Sequence, residues 1–98
     1  MIQIIALLYA SKNGIEGLRA FESKVIPILR EHGGRLISAS SYAERKEGEA
    51  DEIHVIQFPS HDAFEAYKQD ARVIALRALK DEVITKTEVH VTNVFHEY

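Results

Sequence analysis

Apolar positions recur along the chain with two periods, and the switches between them predict the order of its elements. Residues 2–10 (Ile-Gln-Ile-Ile-Ala-Leu-Leu-Tyr-Ala) are β-rich and apolar on both faces, with Ile2, Ile4 and Leu8 pointing one way and Ile5, Leu7 and Tyr9 the other. A strand greasy on both sides is a central strand covered twice. Leu18, Phe21, Val25, Leu29 and His32 then follow at helical spacing. Asn13, with Glu16 three residues on, offers a capping-box-like start, and His32-Gly33-Gly34 stops the helix. Pro27 lies inside this pattern and removes a backbone hydrogen bond, which predicts a bend or short break near residues 23–25.

Arg35 to Tyr42 alternate loosely and read as a second strand. Seven of the nine residues from Glu44 to Glu52 are charged, the composition of a solvated hairpin. Residues 53–58 form a third strand, ended by Pro59. Ser60 is an N-cap, with Asp62 in the first turn and Ala63, Phe64 and Tyr67 as the helix's apolar face. Asp70 can cap a further helical segment carrying Val73, Leu76 and Leu79, and residues 83–95 return as a long final strand. The order β-α-β-β-α-β is that of an α+β, ferredoxin-like split β-α-β. Both helices then cover one face of a four-stranded antiparallel sheet of order 4-1-3-2. The other apolar face is left bare, so a homodimer joined sheet to sheet is expected.

Composition narrows what such a module can do. Ninety-eight residues, 46% hydrophobic and 28% charged, make one globular domain over residues 1–98 that gains from a partner subunit. A formal charge of −3 and the lack of any basic run argue against a nucleic-acid partner. The same element order serves RNA-recognition modules, but the third strand lacks their basic residue, glycine and aromatic pair. With no Cys there is neither a disulfide nor a thiolate ligand. The apolar N-terminal stretch has no positively charged leader and runs for only about ten residues, too few to span a bilayer. The expectation is a cytoplasmic protein with no membrane partner. His90 and His96 are six residues apart, roughly 20 Å along a strand at about 3.3 Å per residue, so no metal site is expected from their spacing.

The runs HGGRLIS at 32–38, EIHVIQFPSHDAFEAYKQDARVIALRALK at 52–80 and TEV at 87–89 resemble the dimeric α+β barrel superfamily, and within it a small branch of uncharacterised domains. The most specific part is FPSxxAFxAY at 58–67. Where this family commonly has Asp-Pro, the chain has Asp70-Ala71, a departure that touches only a helix cap. The resemblance implies a homodimer whose two sheets close into a barrel. It implies no single activity, since relatives include cofactor-independent monooxygenases, haem-degrading enzymes, lactone isomerases and binding proteins. The absence of Trp argues against haem, and no cofactor is expected.

A cofactor-independent enzyme needs an apolar pocket, a base and donors for the resulting anion; Tyr9, Arg35, Tyr42, His54, Tyr67 and His90 could supply these. Each also has a plainer reading. Tyr67 and Phe64 suit a helix packing on a sheet, Arg35 a surface charge, His32 a helix-end cap and His61 an exposed turn. The expected role is binding of a small apolar or aromatic molecule in a cleft between sheet and helices. The alternative is a cofactor-independent monooxygenase or isomerase acting on an aromatic or lactone-like substrate. An enzyme predicts a titratable group beside an enclosed cavity; a purely structural dimer predicts no cavity.

Overall fold

The computed structural model describes residues 1–12 and 14–98. Its elements are β1 (Ile2–Ala10), α1 (Ile15–Glu31), β2 (Arg35–Ser40), β3 (Glu52–Phe58), α2 (His61–Gln69), α3 (Ala71–Ala75), α4 (Arg77–Val83) and β4 (Ile84–Thr92). The strands form one antiparallel sheet in the order β2-β3-β1-β4, the expected 4-1-3-2 read from the other edge. Where a short helix and a further segment capped by Asp70 were expected, the chain makes three short helices, the further segment dividing at Leu76. Ser60 caps α2 through a bond from the Ala63 N–H, and Asp70 caps α3 through one from the Arg72 N–H.

Alternation along β1 divides the sheet into two unlike faces. Ile2, Ile4, Ala6 and Leu8 are buried beneath the helices, against Leu18 and Leu29 of α1, Phe58, Val83 and Ile84. Burying each of the larger side chains contributes about 1.5–3 kcal/mol. Ile5 and Leu7 point the other way, beside Val55 and Ile53 of β3, and are half-buried on a face that none of the described helices covers.

Several boundaries differ from the expectation for physical reasons. The Asn13 cap lies outside the described residues; Gly14 precedes the helix and makes no side-chain cap. Helix α1 runs unbroken through Pro27, with no interruption at residues 23–25. Ser23 and Pro27 both face solvent, so water can satisfy the carbonyl that Pro27 leaves without a donor. Strand β2 stops at Ser40, whose partner Ile53 lies one residue from the start of β3, so Tyr42 has nothing to pair with and falls in a loop. Strand β4 begins after Val83, which is helical, and ends at Thr92 opposite Gln3, close to where its neighbour β1 begins. Gly33 ends α1 with φ at 81°, and Gly34 passes so close to Leu29 that an added Cβ would lie 2.6 Å from its side chain.

Candidate functional site

The inward face of β3 is apolar at one end and ionisable at the other. Pairing with β1 sets Phe58 opposite Ile2, Ile56 opposite Ile4, His54 opposite Ala6 and Glu52 opposite Leu8. The i, i+2 spacing therefore puts Glu52 and His54 side by side on the helix-covered face, where the small Ala6 leaves room for the imidazole. Above them, the core stripe of α1 runs Leu18, Glu22, Val25, Leu29, and its second position is a carboxylate. Glu22, Glu52 and His54 are 6%, 2% and 6% exposed.

All three converge on one nitrogen. His54 Nε2 lies 2.5 Å from Glu52 Oε1 and 2.8 Å from Glu22 Oε2. A single Nε2–H cannot serve both; it donates to Glu52, and Glu22 Oε2 is buried without a hydrogen-bond partner. Arg19 closes the group from the solvent side, its Nη1 2.5 Å from Glu52 Oε2 and 3.5 Å from Glu22 Oε1. With His54 protonated, two cations face two carboxylates.

Burial opposes charge on every member, and the neighbours decide the outcome. Burial lowers the His54 pKa, but the Glu22 and Glu52 carboxylates against Nε2 outweigh it and hold the imidazole above its ordinary 6.5. Burial likewise pushes Glu22 up, yet its neighbours, His54 foremost and Arg19 among them, leave it below the usual carboxylate range. Glu52 is raised by burial and by the adjoining Glu22 carboxylate. The ligand atoms lie within 4.8 Å of one another, so the group could also converge on a metal ion. A tetrahedral ion with bonds of about 2.0–2.2 Å would hold its ligands more than about 3 Å apart, so the two contacts to Nε2 would have to widen. At their present lengths they are hydrogen-bond distances.

Glu22 and His54 line a cavity of about 300 Å³ between sheet and helices, walled mainly by apolar residues such as Ile4, Phe58, Phe64 and Leu76. Of the six candidates from the sequence, His54 and Tyr67 line it. Burial pushes the Tyr67 hydroxyl up to about 12, so it stays protonated and can only donate or accept a hydrogen bond. Its ring packs 5.6 Å from that of Phe58. Tyr9, Arg35 and His90 are on the opposite, open face of the sheet, in register with Lys86, Gln57 and Ile5. Tyr42 is exposed in its loop.

Sequence reasoning missed Glu22, Glu52 and Arg19. Glu52 was counted into the solvated charged run, but Ala50 and Glu52 are both buried, and the run's end is stitched to β1 by the Asp51 carboxylate on the Ala10 N–H. Two signals were present: a carboxylate two residues before a strand histidine, and a glutamate at a core position of a helical stripe.

A family model described as a domain of unknown function, DUF1330, matches residues 5–94. No functionally curated protein matches the sequence. Among solved structures, a Rhodopseudomonas palustris protein of unknown function superposes with a TM-score of 0.80 at 14% identity, over 98% of this chain and 83% of that one. A Nitrosomonas europaea protein provisionally named an antibiotic biosynthesis monooxygenase gives 0.74 at 11% identity, over 98% and 100%. A Bacteroides fragilis protein described as dimeric, of unknown function and ferredoxin-like fold, gives 0.69 at 12% identity, over 95% of each. At such identities the likeness carries the fold alone. Among the described residues, no helix is long and apolar enough to cross a membrane.

Proposed function

Taking as premise that the chain belongs to the DUF1330 family, we propose that it binds a small apolar or aromatic molecule in the cavity between sheet and helices and exchanges a proton with it at His54. The observation that carries this reading is the position of His54, whose Nε2 is held by two buried carboxylates while the ring lines an apolar cavity. The neutral ring keeps its proton on Nε2, where Glu52 accepts it, so Nδ1 is the nitrogen left free to act as the base. A proton taken up at Nδ1 makes an imidazolium already opposed by Glu22 and Glu52, which is why the base is stronger than a free histidine.

The chemistry that fits is abstraction of a weakly acidic proton from an aromatic or lactone-like substrate. Returning that proton to a different carbon isomerises the substrate without any redox partner. An electron-rich anion can instead react with dioxygen, the course that the name of the Nitrosomonas europaea fold relative favours. Tyr67, protonated and at the cavity wall, is suited to donate to the developing anion.

The test is deuterium incorporation from D2O at carbon in a panel of activated phenols and unsaturated lactones. Wild-type protein should catalyse exchange into at least one class, and His54→Gln should slow it by about 10²–10⁴-fold with binding changed only severalfold. Binding without exchange by the wild-type chain would leave a binding protein and remove the enzyme.

The open sheet face supports self-association. Ile5, Leu7, Ile53 and Val55 form an apolar centre there, and a fold relative is described as dimeric. In a sheet-to-sheet homodimer Tyr9, Arg35 and His90 would lie in or around the interface rather than in the cavity. Leu7→Lys should then give a monomer by sedimentation; an unchanged dimer would place the interface elsewhere.

A further inference from the structure

The charges around the cavity are unlike those of the chain. The whole sequence carries a formal charge of −3, yet the charged residues lining the cavity are Lys68, Arg77 and Lys80 against a single carboxylate, Glu22. Glu22 is committed to His54 and Arg19. Lys68 is partly committed, with Nζ 2.8 Å from Glu65 and 4.5 Å from the centre of the Phe64 ring. Arg77 and Lys80 differ: among the described residues neither makes an ion pair. They sit three residues apart on α4, the spacing that puts two side chains on one helix face.

Such a cavity has two chemically distinct parts. Its walls are apolar, and the exposed Arg77 and Lys80 at its edge are two cations with no ion pair among the described residues. A neutral apolar ligand gains only from the walls. A ligand with an apolar body and an anionic end gains there as well, because its charge can remain near water while two guanidinium or ammonium groups reach it. We propose that the cavity's ligand is an amphipathic anion, an apolar or aromatic carboxylate whose head group is held by Arg77 and Lys80. This rests on the cavity reading above and adds the ligand's charge to it. The rim also raises the local concentration of anions at a protein that otherwise repels them.

The test compares 2-naphthoate with 2-naphthamide, which share an apolar body and differ in charge, by titration calorimetry at pH 8 and low salt. The wild-type chain should bind the carboxylate about tenfold more tightly, the size of one charge-assisted hydrogen bond. Arg77→Gln/Lys80→Gln should bring that ratio close to one while leaving the affinity for the amide unchanged. Lys24→Gln/Arg30→Gln, which removes two exposed cations of α1 that do not line the cavity, should leave the ratio intact. Raising the salt should lower the wild-type ratio and not that of the Arg77/Lys80 variant. Equal binding of both compounds by the wild-type chain would overturn the proposal and leave the cavity reading standing. Binding of neither would remove both. Circular dichroism of the double variant checks that a lost ratio is not lost fold.

Discussion

The two ends of β3 are equally buried and made of opposite chemistry. At one end Phe58, 1% exposed, packs 5.3 Å from the ring of Phe64 and 5.6 Å from that of Tyr67. At the other, Glu52 is 2% exposed and accepts a hydrogen bond from His54 beneath Glu22 and Arg19. The aromatic end removes apolar area from water and leaves no polar debt. Desolvation makes the ionisable end costly, and its internal attraction offsets that cost only while all members are present. Most of the buried apolar residues fall into two separate clusters, one around Leu18 and one around Phe58, with Glu22 between Leu18 and Leu29 along α1. The aromatic end is what a fold needs, whereas the ionisable end is more readily explained by chemistry than by stability.

The largest effect should come from the aromatic end. Phe58→Ala should cost about 3–5 kcal/mol in urea unfolding, since it leaves a cavity beneath Phe64 and Tyr67. Next, His54→Ala should cost about 3 kcal/mol at pH 7 because two carboxylates are then left facing each other in the core. That cost should shrink as the pH falls and the carboxyls take up protons. Replacing the whole group, as in Glu22→Leu/Glu52→Leu/His54→Phe, should restore or exceed wild-type stability while abolishing proton exchange. If the apolar triple variant is markedly less stable than the wild type, the group is structural after all and the contrast between the two ends collapses.

A smaller effect is the pH dependence of the wild-type chain. His54 is held above its ordinary pKa of 6.5, so its contribution is complete below 6.5 and is lost as the pH rises through the elevated value. Glu52, also raised, acts in the same sense from 4.5 upward. Glu22 is lowered, so its contribution is present above 4.5 and lost as the pH falls through its depressed value. Urea midpoints should decline on the alkaline side of 6.5, and the apolar triple variant should be flat there; a decline of equal slope in both would assign it to other groups. The smallest effect is Ser60→Ala, which removes the cap on α2 and should cost about 1 kcal/mol, close to the aromatic end and without effect on proton exchange.

Much of the fold could be read from the chain because its signals are local. The alternation in residues 2–10, the Ser60 and Asp70 caps and the glycine stop at 33–34 are each decided within a few residues. The ends of β2 and β4 were not legible, since a strand stops where its neighbour stops. The site was legible in part. His54 and Tyr67 were found by residue type, but Tyr9, Arg35 and His90, chosen on the same basis, belong to the other side of the sheet. Glu52 was hidden by the charged residues that precede it, and Glu22 by Phe21 beside it, which fits the apolar stripe.

What the sequence determined by itself is periodicity: which residues share a face of a strand or helix, and hence an antiparallel sheet with helices on one side. Only the tertiary structure decided which faces meet. The register of β3 on β1 and the seating of α1 above them bring Glu22, thirty residues away in sequence, onto Glu52 and His54. Whether these three groups touch depends on separations of a few tenths of an ångström. Those distances are set by packing between elements, which no pattern along a single element encodes.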